Sequence, residues 1–442
     1  MTIRMDEGAA ELLDTLHRAG YAAYVVGGCV RDSLLGLTPH DWDLCTSALP
    51  QQGMELFGEE KCIPTGLQHG TVTVKQGGGL YEITTFRTEG AYTDGRHPDE
   101  VHFVPDVRED LARRDFTINA MAYNAKEGLI DPFGGQADLQ SGILRAVGVP
   151  HQRFTEDALR ILRLYRFAAR FGFAIDPPTA QAAQELCAHL DCVSVERIEE
   201  ELAKLLSAPA PAAYLDEKIL GVVLPELSPE ALAAAKPVVD ACPAGERALP
   251  VRLAALLLSL GEDGTRRTLR RLRCSNACVE ETAVLVREIV SGVPGAFSSD
   301  TNRAIPSPAL LPAATGSHPS GRSSEKLPAR PPVSLNIYAR RLLGKYNLCT
   351  VQRLAALGTA LQPEHAADFA ALSELAEQLD ADGVCCRVSQ LAVNGRDLMA
   401  AGVPAGPGIR KVLEALLDGV IREEYPNERQ ALLAAVQQLA AS

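Results

Sequence analysis

Apolar residues first recur at helical spacing over residues 6–20, where Leu12, Leu13 and Leu16 share one side. A short apolar run, Tyr24 to Val26, then predicts a buried strand that ends at Gly27-Gly28, with a short helix after it. Asp41-Trp42-Asp43 reads as a further strand. Gly70 to Lys75 (GTVTVK) alternates with period two, and Leu80 to Phe86 (LYEITTF) is rich in β-branched and aromatic residues. Gly77-Gly78-Gly79 between them reads as a hairpin turn. Leu111 to Asn124 reads as a strand-to-helix transition through FTINAMAYN, and ILRAVG, near residue 148, is strand-like. Beyond it the pattern turns helical. Phe154 to Phe171 (FTEDALRILRLYRFAARF) predicts one largely buried helix opened by Thr155, with Glu156 and Asp157 in its first turn. Val193 to Leu206 predicts another, capped by Ser194. Residues 210–292 read as Ala- and Leu-rich helices, and helices resume from Asn336. The fold class expected is α+β: a small mixed sheet with helices, then an all-α remainder.

Periodicity fails in one place. From Pro294 to Pro332 the chain is rich in Pro, Ser and Ala, which predicts a disordered insertion between helices. The expected division is a head over 1–148, a helical neck over 149–207, a helical body over 208–292, the insertion over 293–334 and a helical tail over 335–442. Arg87 to Glu100 is polar, with glycines and a proline, and reads as a mobile loop.

The net charge of −13 rules out clamping of nucleic acid by overall charge, so any basic surface is local. Arg266 to Arg273 (RRTLRRLR) is such a cluster; on a helix it is ordinarily a solvated face, and RNA backbone is the alternative partner. The eleven cysteines have neither disulfide-framework nor zinc spacing and read as reduced thiols. With no apolar segment in MTIRMDEGAA and no run near ~20 apolar residues, a cytoplasmic location without a membrane span is expected.

The candidate chemistry gathers at Tyr24 to Thr46 (YVVGGCVRDSLLGLTPHDWDLCT). Gly27 and Gly28 clear side chains from the backbone, a helix start there turns N–H groups toward an anion, and Arg31 adds positive charge, a combination suited to a triphosphate. Asp41 and Asp43 on one side of a strand repel each other unless a divalent hard cation lies between them, and Mg2+ favours such oxygens together with substrate phosphates. A glycine pair alone is usually a turn, and a D-x-D alone is usually solvated; about a dozen residues apart, they are far more specific.

This arrangement resembles the DNA-polymerase-β-like nucleotidyltransferases, and the string GGCVRDSLLG…HDWDL resembles class II tRNA nucleotidyltransferases (CCA-adding enzymes) and the related bacterial poly(A) polymerases. The resemblance implies that Asp41 and Asp43 bind Mg2+, with Glu82 of EITTFR as a third carboxylate, and that Gly28, Arg31, Arg114 and Asp115 serve the triphosphate and sugar. It makes DGRHP, in the loop over 91–98, a flexible element for switching from C to A. The stretch Val393 to Glu424, with Gly402, Gly406 and Gly408, resembles the tail of Gram-positive-type CCA-adding enzymes. In the family's E-D-x-x-R motif, Asp157 and Arg160 select the base, and Arg163 and Arg166 contact base or phosphates.

The selection has a direct chemical basis. Cytosine and adenine each offer an amine beside a ring-nitrogen acceptor, whereas uracil and guanine offer a carbonyl beside an N–H. A carboxylate only accepts and a guanidinium only donates. One Asp/Arg pair thus suits C and A and leaves buried charge unpaired against U or G. The bland alternative is a structural salt-bridge network along the same helix. The expected partners are tRNA lacking its 3′ CCA, CTP and ATP, with no obligate protein partner. A poly(A) polymerase is disfavoured by the near-neutral end LLAAVQQLAAS, and a CC-only enzyme by the loop over 91–98. A partial A-adding enzyme is a further variant. A non-catalytic RNA-binding relative would have no use for paired carboxylates.

Because a disordered loop contributes little burial, replacing 298–328 with a short Gly/Ser bridge is expected to leave stability and RNA processing nearly unchanged. Thermal unfolding and a 3′-end assay on the deletion check this; collapse of the fold or lost tRNA binding would refute it.

Overall fold

A computed structural model of the chain describes residues 3–90, 100–291 and 335–441. The loop over 91–98 and the insertion over 293–334 lie outside the described residues. The described chain forms two compact units, residues 1–225 and 226–442.

The first unit opens with α1 (Glu7–Arg18), capped by Asp6, whose carboxylate accepts from the Gly8 and Ala9 amides. Leu12, Leu13 and Leu16 are buried, as the periodicity predicts. β1 (Ala23–Val26) follows and is wholly buried. Gly27 then turns the chain with φ +78° into α2 (Gly28–Leu34). β2 (Leu44–Thr46) returns antiparallel to β1. After α3 (Pro50–Phe57) come β3 (Cys62–Gly66), β4 (Thr71–Gln76) and β5 (Gly79–Thr85). Gln76 pairs with Gly79, so the hairpin turn is Gly77-Gly78, both at positive φ. β6 (Arg87–Glu89) pairs with β7 (Val101–Phe103) as a separate ribbon. α4 (Val107–Ala112), a 3-10 turn at Thr117–Asn119, β8 (Ala122–Asn124) and β9 (Gly128–Ile130) complete the head, followed by α5 (Gly135–Ser141).

The seven-stranded sheet runs β3-β4-β5-β2-β1-β8-β9, with β2 parallel to β5 and the other neighbours antiparallel. Tyr24, Val26, Cys45 and Ala122 of the sheet pack with Phe86 and with Val107 and Leu111 of α4 in one core. β10 (Ile143–Leu144) and β11 (Ala174–Ile175) form a small parallel pair. Between them lie α6 (Pro150–Glu156) and α7 (Leu159–Phe171), and beyond them α8 (Pro177–Leu186), α9 (Val195–Leu206) and α10 (Glu217–Val223).

The second unit is entirely helical among the described residues: α11 (Pro229–Ala241), α12 (Leu249–Leu257), α13 (Gly261–Arg271) and α14 (Asn276–Val290), then α15 (Leu335–Lys345), α16 (Leu348–Leu361), α17 (Ala366–Ala381), α18 (Gly395–Ala400), α19 (Gly408–Ile421) and α20 (Arg429–Ala441). Leu398, Leu416, Val420, Leu432 and Val436 build a core for its last three helices. The basic stretch on α13 is largely occupied: Arg266 pairs with Glu262 and Glu280, and Arg271 with Glu226. This supports the reading of a solvated, ion-paired face.

Four sequence expectations need correction. Asp41-Trp42-Asp43 precedes β2 instead of lying in a strand, because Gly27 turns away and leaves β1 only the Asp43 carbonyl to bond, through the Val26 amide. FTINAMAYN runs from a 3-10 turn into a strand, not from strand to helix. The stretch 154–171 is two helices broken at Asp157, which is extended at φ −145°. Thr155 therefore caps nothing; it lies inside α6, and its hydroxyl donates to the His151 carbonyl. Ser194 holds the N-cap position of α9 but makes no side-chain cap bond.

Candidate active site

At the glycine turn, a methyl group on Gly27 would sit 3.0 Å from Nη1 of Arg114, and the positive φ independently disfavours any side chain there. Gly28, singled out by sequence, has ordinary room for a Cβ. The turn thus needs glycine chiefly at Gly27, to let the Arg114 guanidinium lie against the backbone. Arg114 is held by Asp110 of α4, which accepts from its Nη2 at 3.3 Å, and its buried Nε meets no acceptor.

Arg31 lies differently from the sequence expectation. It is 4% exposed and points inward. Its Nε donates to Asp32 at 2.8 Å and its Nη1 to Asn119 at 2.6 Å, and the guanidinium rests about 5 Å from the rings of Phe167 and Phe171. Its place is beneath the turn, tying α2 to α7.

Asp43 and Glu82 are brought side by side by the parallel register Leu44↔Ile83, since each lies one residue earlier on its chain. Solvent reaches Asp43, yet enough protein surrounds it that burial raises its carboxyl pKa. The nearby Arg114 pulls the other way, and the like charges of Glu82 and Asp41 add to the rise. Asp41, Asp43, Glu82 and Arg114 therefore share one electrostatic neighbourhood. Among the described residues, no three His, Cys, Asp or Glu side chains are gathered tightly enough to cage a metal ion. The donor chemistry still fits a hard divalent cation: Asp41, Asp43 and Glu82 offer carboxylate oxygens alone, with three negative charges against the one positive charge of Arg114.

Asp115 is buried at the centre of a charge network. Its Oδ1 accepts from the Phe116 amide at 2.8 Å and Asn119 Nδ2 at 3.0 Å, and its Oδ2 accepts from Arg163 Nε at 3.0 Å and Nη2 at 2.7 Å. Burial alone would raise its carboxyl, but Arg163, Asn119 and Arg160 together hold it down at about 2. Arg163 Nη1 lies 3.6 Å from Glu201 of α9. Arg166 Nε approaches Glu201 Oε2 at 2.5 Å, an ion contact whose angle falls short of a hydrogen bond, and its guanidinium stacks 3.8 Å from the Phe167 ring centre.

Asp157 and Arg160 are not paired with each other. Asp157 receives Arg197 of α9 on both oxygens, at 3.3 and 2.8 Å, and the Leu159 amide on Oδ1 at 3.1 Å. Arg160 donates to Glu156 at 2.7 Å and to the Arg153 and Arg113 carbonyls. Sequence reasoning missed Asp110, Arg197 and Glu201. For two of them a signal existed: Glu201 falls on the apolar stripe Ile198/Leu202/Leu205, and Asp110 on Val107/Leu111. An acid at such a position demands a buried cation.

A sheet with a glycine turn after its first strand and two aspartates just before its second, with helices supplying arginines, is the arrangement expected of a nucleotidyltransferase. Residues 23–145 match the family model described as the poly A polymerase head domain. Residues 172–230 match a probable RNA- and SrmB-binding site of polymerase A, and 334–436 a putative tRNA nucleotidyltransferase domain 2. A CCA-adding enzyme of Lactiplantibacillus plantarum is 50% identical over 209 residues, 47% of this chain and 51% of that one. One from Limosilactobacillus fermentum is 35% identical over 442 residues, covering 98% of this chain and 97% of its own. The crystal structure of the Bacillus stearothermophilus CCA-adding enzyme in complex with CTP matches with a TM-score of 0.77 at 30% identity, covering 99% of this chain and 98% of that one. The chain belongs to the CCA-adding enzymes, and so is a tRNA nucleotidyltransferase that adds CCA to the 3′ end of tRNA.

The Asp115 network makes a stability prediction. Its carboxyl is held below the unfolded value of 3.8, so its contribution is complete above that value and is lost as pH falls toward about 2. Asp115→Asn is expected to lower stability by about 2–3 kcal/mol near neutral pH, with the difference from wild type shrinking below about pH 4. Denaturant titrations at several pH values check this; a pH-independent difference would contradict it.

Proposed function

We propose that Asp41 and Asp43, with Glu82, hold Mg2+ and that the chain joins CMP and AMP, from CTP and ATP, to tRNA lacking its CCA end. The observation that carries this reading is the register Leu44↔Ile83, which sets Asp43 beside Glu82 with Asp41 two residues away, while Arg114 lies against the Gly27 turn. When bound, Mg2+ supplies charge stabilisation for the attacking and leaving oxygens. The RNA 3′-hydroxyl oxygen bonds to the α-phosphorus, the bond from that phosphorus to the bridging oxygen breaks, pyrophosphate leaves and the hydroxyl proton passes to solvent.

The chain's own residues bind and orient. Gly27 and Gly28 let the triphosphate approach the backbone. Arg114, aimed by Asp110, meets it there with Asp115 close by, and Arg31 acts by fixing the turn from beneath. Asp157 and Arg160 read the base. Arg163 and Arg166, locked to Asp115 and Glu201, set the position of α7 and add positive charge for the nucleotide. Residues 1–148 serve as catalytic head, 149–207 as the base-selecting neck and 208–292 as body, with 335–442 as the tail that holds tRNA. No described helix is long and apolar enough to cross a membrane. A cytoplasmic setting agrees with eleven free cysteines and a tRNA substrate.

With tRNA ending before CCA and both nucleotides supplied, sequencing of the product ends is expected to show CCA. Asp41→Ala and Asp43→Ala are each expected to cut turnover by several powers of ten while tRNA still binds. A loss below about tenfold at both positions would reject the metal assignment, and A-only tails would favour a poly(A) polymerase.

A further inference from the structure

The residue that reads the base is itself held by a residue from another helix. Asp157 sits at the break between α6 and α7, where the backbone alone would leave its carboxylate free to turn. Arg197, at the third position of α9, grips both of its oxygens in a fork, at 3.3 Å on Oδ1 and 2.8 Å on Oδ2. The Leu159 amide takes a second position on Oδ1. A carboxylate offers about four acceptor positions. Three are filled, so one remains, on Oδ2.

Arg160 shows matching arithmetic. Of its five N–H groups, two on Nη1 go to the Arg153 carbonyl and Glu156, and one on Nη2 goes to the Arg113 carbonyl. Nε–H and the second Nη2 hydrogen remain as donors. One acceptor and a small number of donors are what an amine beside a ring nitrogen requires. Four residues on from Arg197, on the same side of α9, Glu201 holds Arg163 and Arg166. The charges of α9 thus complement those of the base-reading segment at two points.

We infer that Arg197 is a positioning residue that sets nucleotide choice by fixing the plane of Asp157 and leaving it a single open acceptor. This rests on the reading of Asp157 as the base-selecting carboxylate. Without Arg197, the carboxylate turns about its own bonds, several acceptor positions open to water, and a base with a carbonyl in place of the amine no longer faces a fixed, unpaired charge.

The test is the ratio of kcat/KM for CTP to that for UTP, and for ATP to GTP, on tRNA ending before CCA or before its final A. It is measured for wild type, Arg197→Met, Asp157→Ala and the double variant. The expected result is a fall of at least tenfold in both ratios for Arg197→Met, with no further fall when it is added to Asp157→Ala. A purely structural role would lower all four nucleotides together and leave the ratios unmoved. If Asp157→Ala lowers the ratios and Arg197→Met keeps them within twofold, the base reading stands and the role of Arg197 is overturned. If Asp157→Ala leaves them unchanged, the base is read elsewhere and both fall. Should Arg197→Met fail to fold, Arg197→Gln, which retains one donor, is judged by the same ratios.

Discussion

The buried ion network Asp115–Arg163–Glu201–Arg166 is the constraint on which the rest of the first unit depends. Asp115, Arg166 and Glu201, from three separate segments, are withdrawn from water and Arg163 is partly so, and each buried charge is tolerable only because the others are present. Removing one partner of such a pair leaves an uncompensated charge in a place that water does not reach, which is why the network holds together as a unit. The network therefore does more than hold α7 down: it sets where α7 lies relative to the segment carrying Arg114. Phe116 edge-on against Phe167, ring centres 5.9 Å apart, fills the apolar space beside it. Arg31, lodged near Phe167 and Phe171, joins the glycine turn to the same helix.

That rigidity gives the proposed chemistry its logic. An enzyme that chooses bases without a template must carry the complementary edge in its own side chains, and discrimination survives only if those side chains cannot swing to suit the wrong base. In this chain each has its orientation imposed: Asp157 by Arg197, Arg160 by Glu156 and two carbonyls, and Arg114 by Asp110. At the other end of the site the electrostatics are deliberately unbalanced. Burial raises the Asp43 carboxyl, Glu82 and Asp41 add to the rise against the pull of Arg114, and an arriving cation would relieve the repulsion among the three acids.

Much of this was legible in the residues, for reasons of periodicity and chemistry. Period-two alternation and a Gly-Gly turn suffice for the β4–β5 hairpin, because local sequence fixes its register. The glycine turn was legible at Gly27-Gly28, and Asp41 and Asp43 stood out as a pair of acids that the fold brings near Glu82. The break at Asp157 was not legible. FTEDALRILRLYRF has no Gly or Pro to interrupt it, so nothing in the local sequence marks the extended backbone at Asp157. The supporting shell was half legible. Glu201 and Asp110 betray themselves as acids on apolar stripes, but nothing in the sequence says which of many arginines each one meets. Arg31 shows the reverse limit: its charge is plain from the sequence, and its inward direction is not.

Recognition of the amine shared by cytosine and adenine, in this reading, falls to side chains that cannot swing. The most direct measurement alters the substrate and leaves the protein untouched: kcat/KM for ATP against purine riboside triphosphate, which lacks the amine, on tRNA already ending in CC. The analogue is expected to be used at least about a hundredfold less well, because the last acceptor on Asp157 is left buried and unpaired. Use of the two nucleotides within twofold of each other would contradict it.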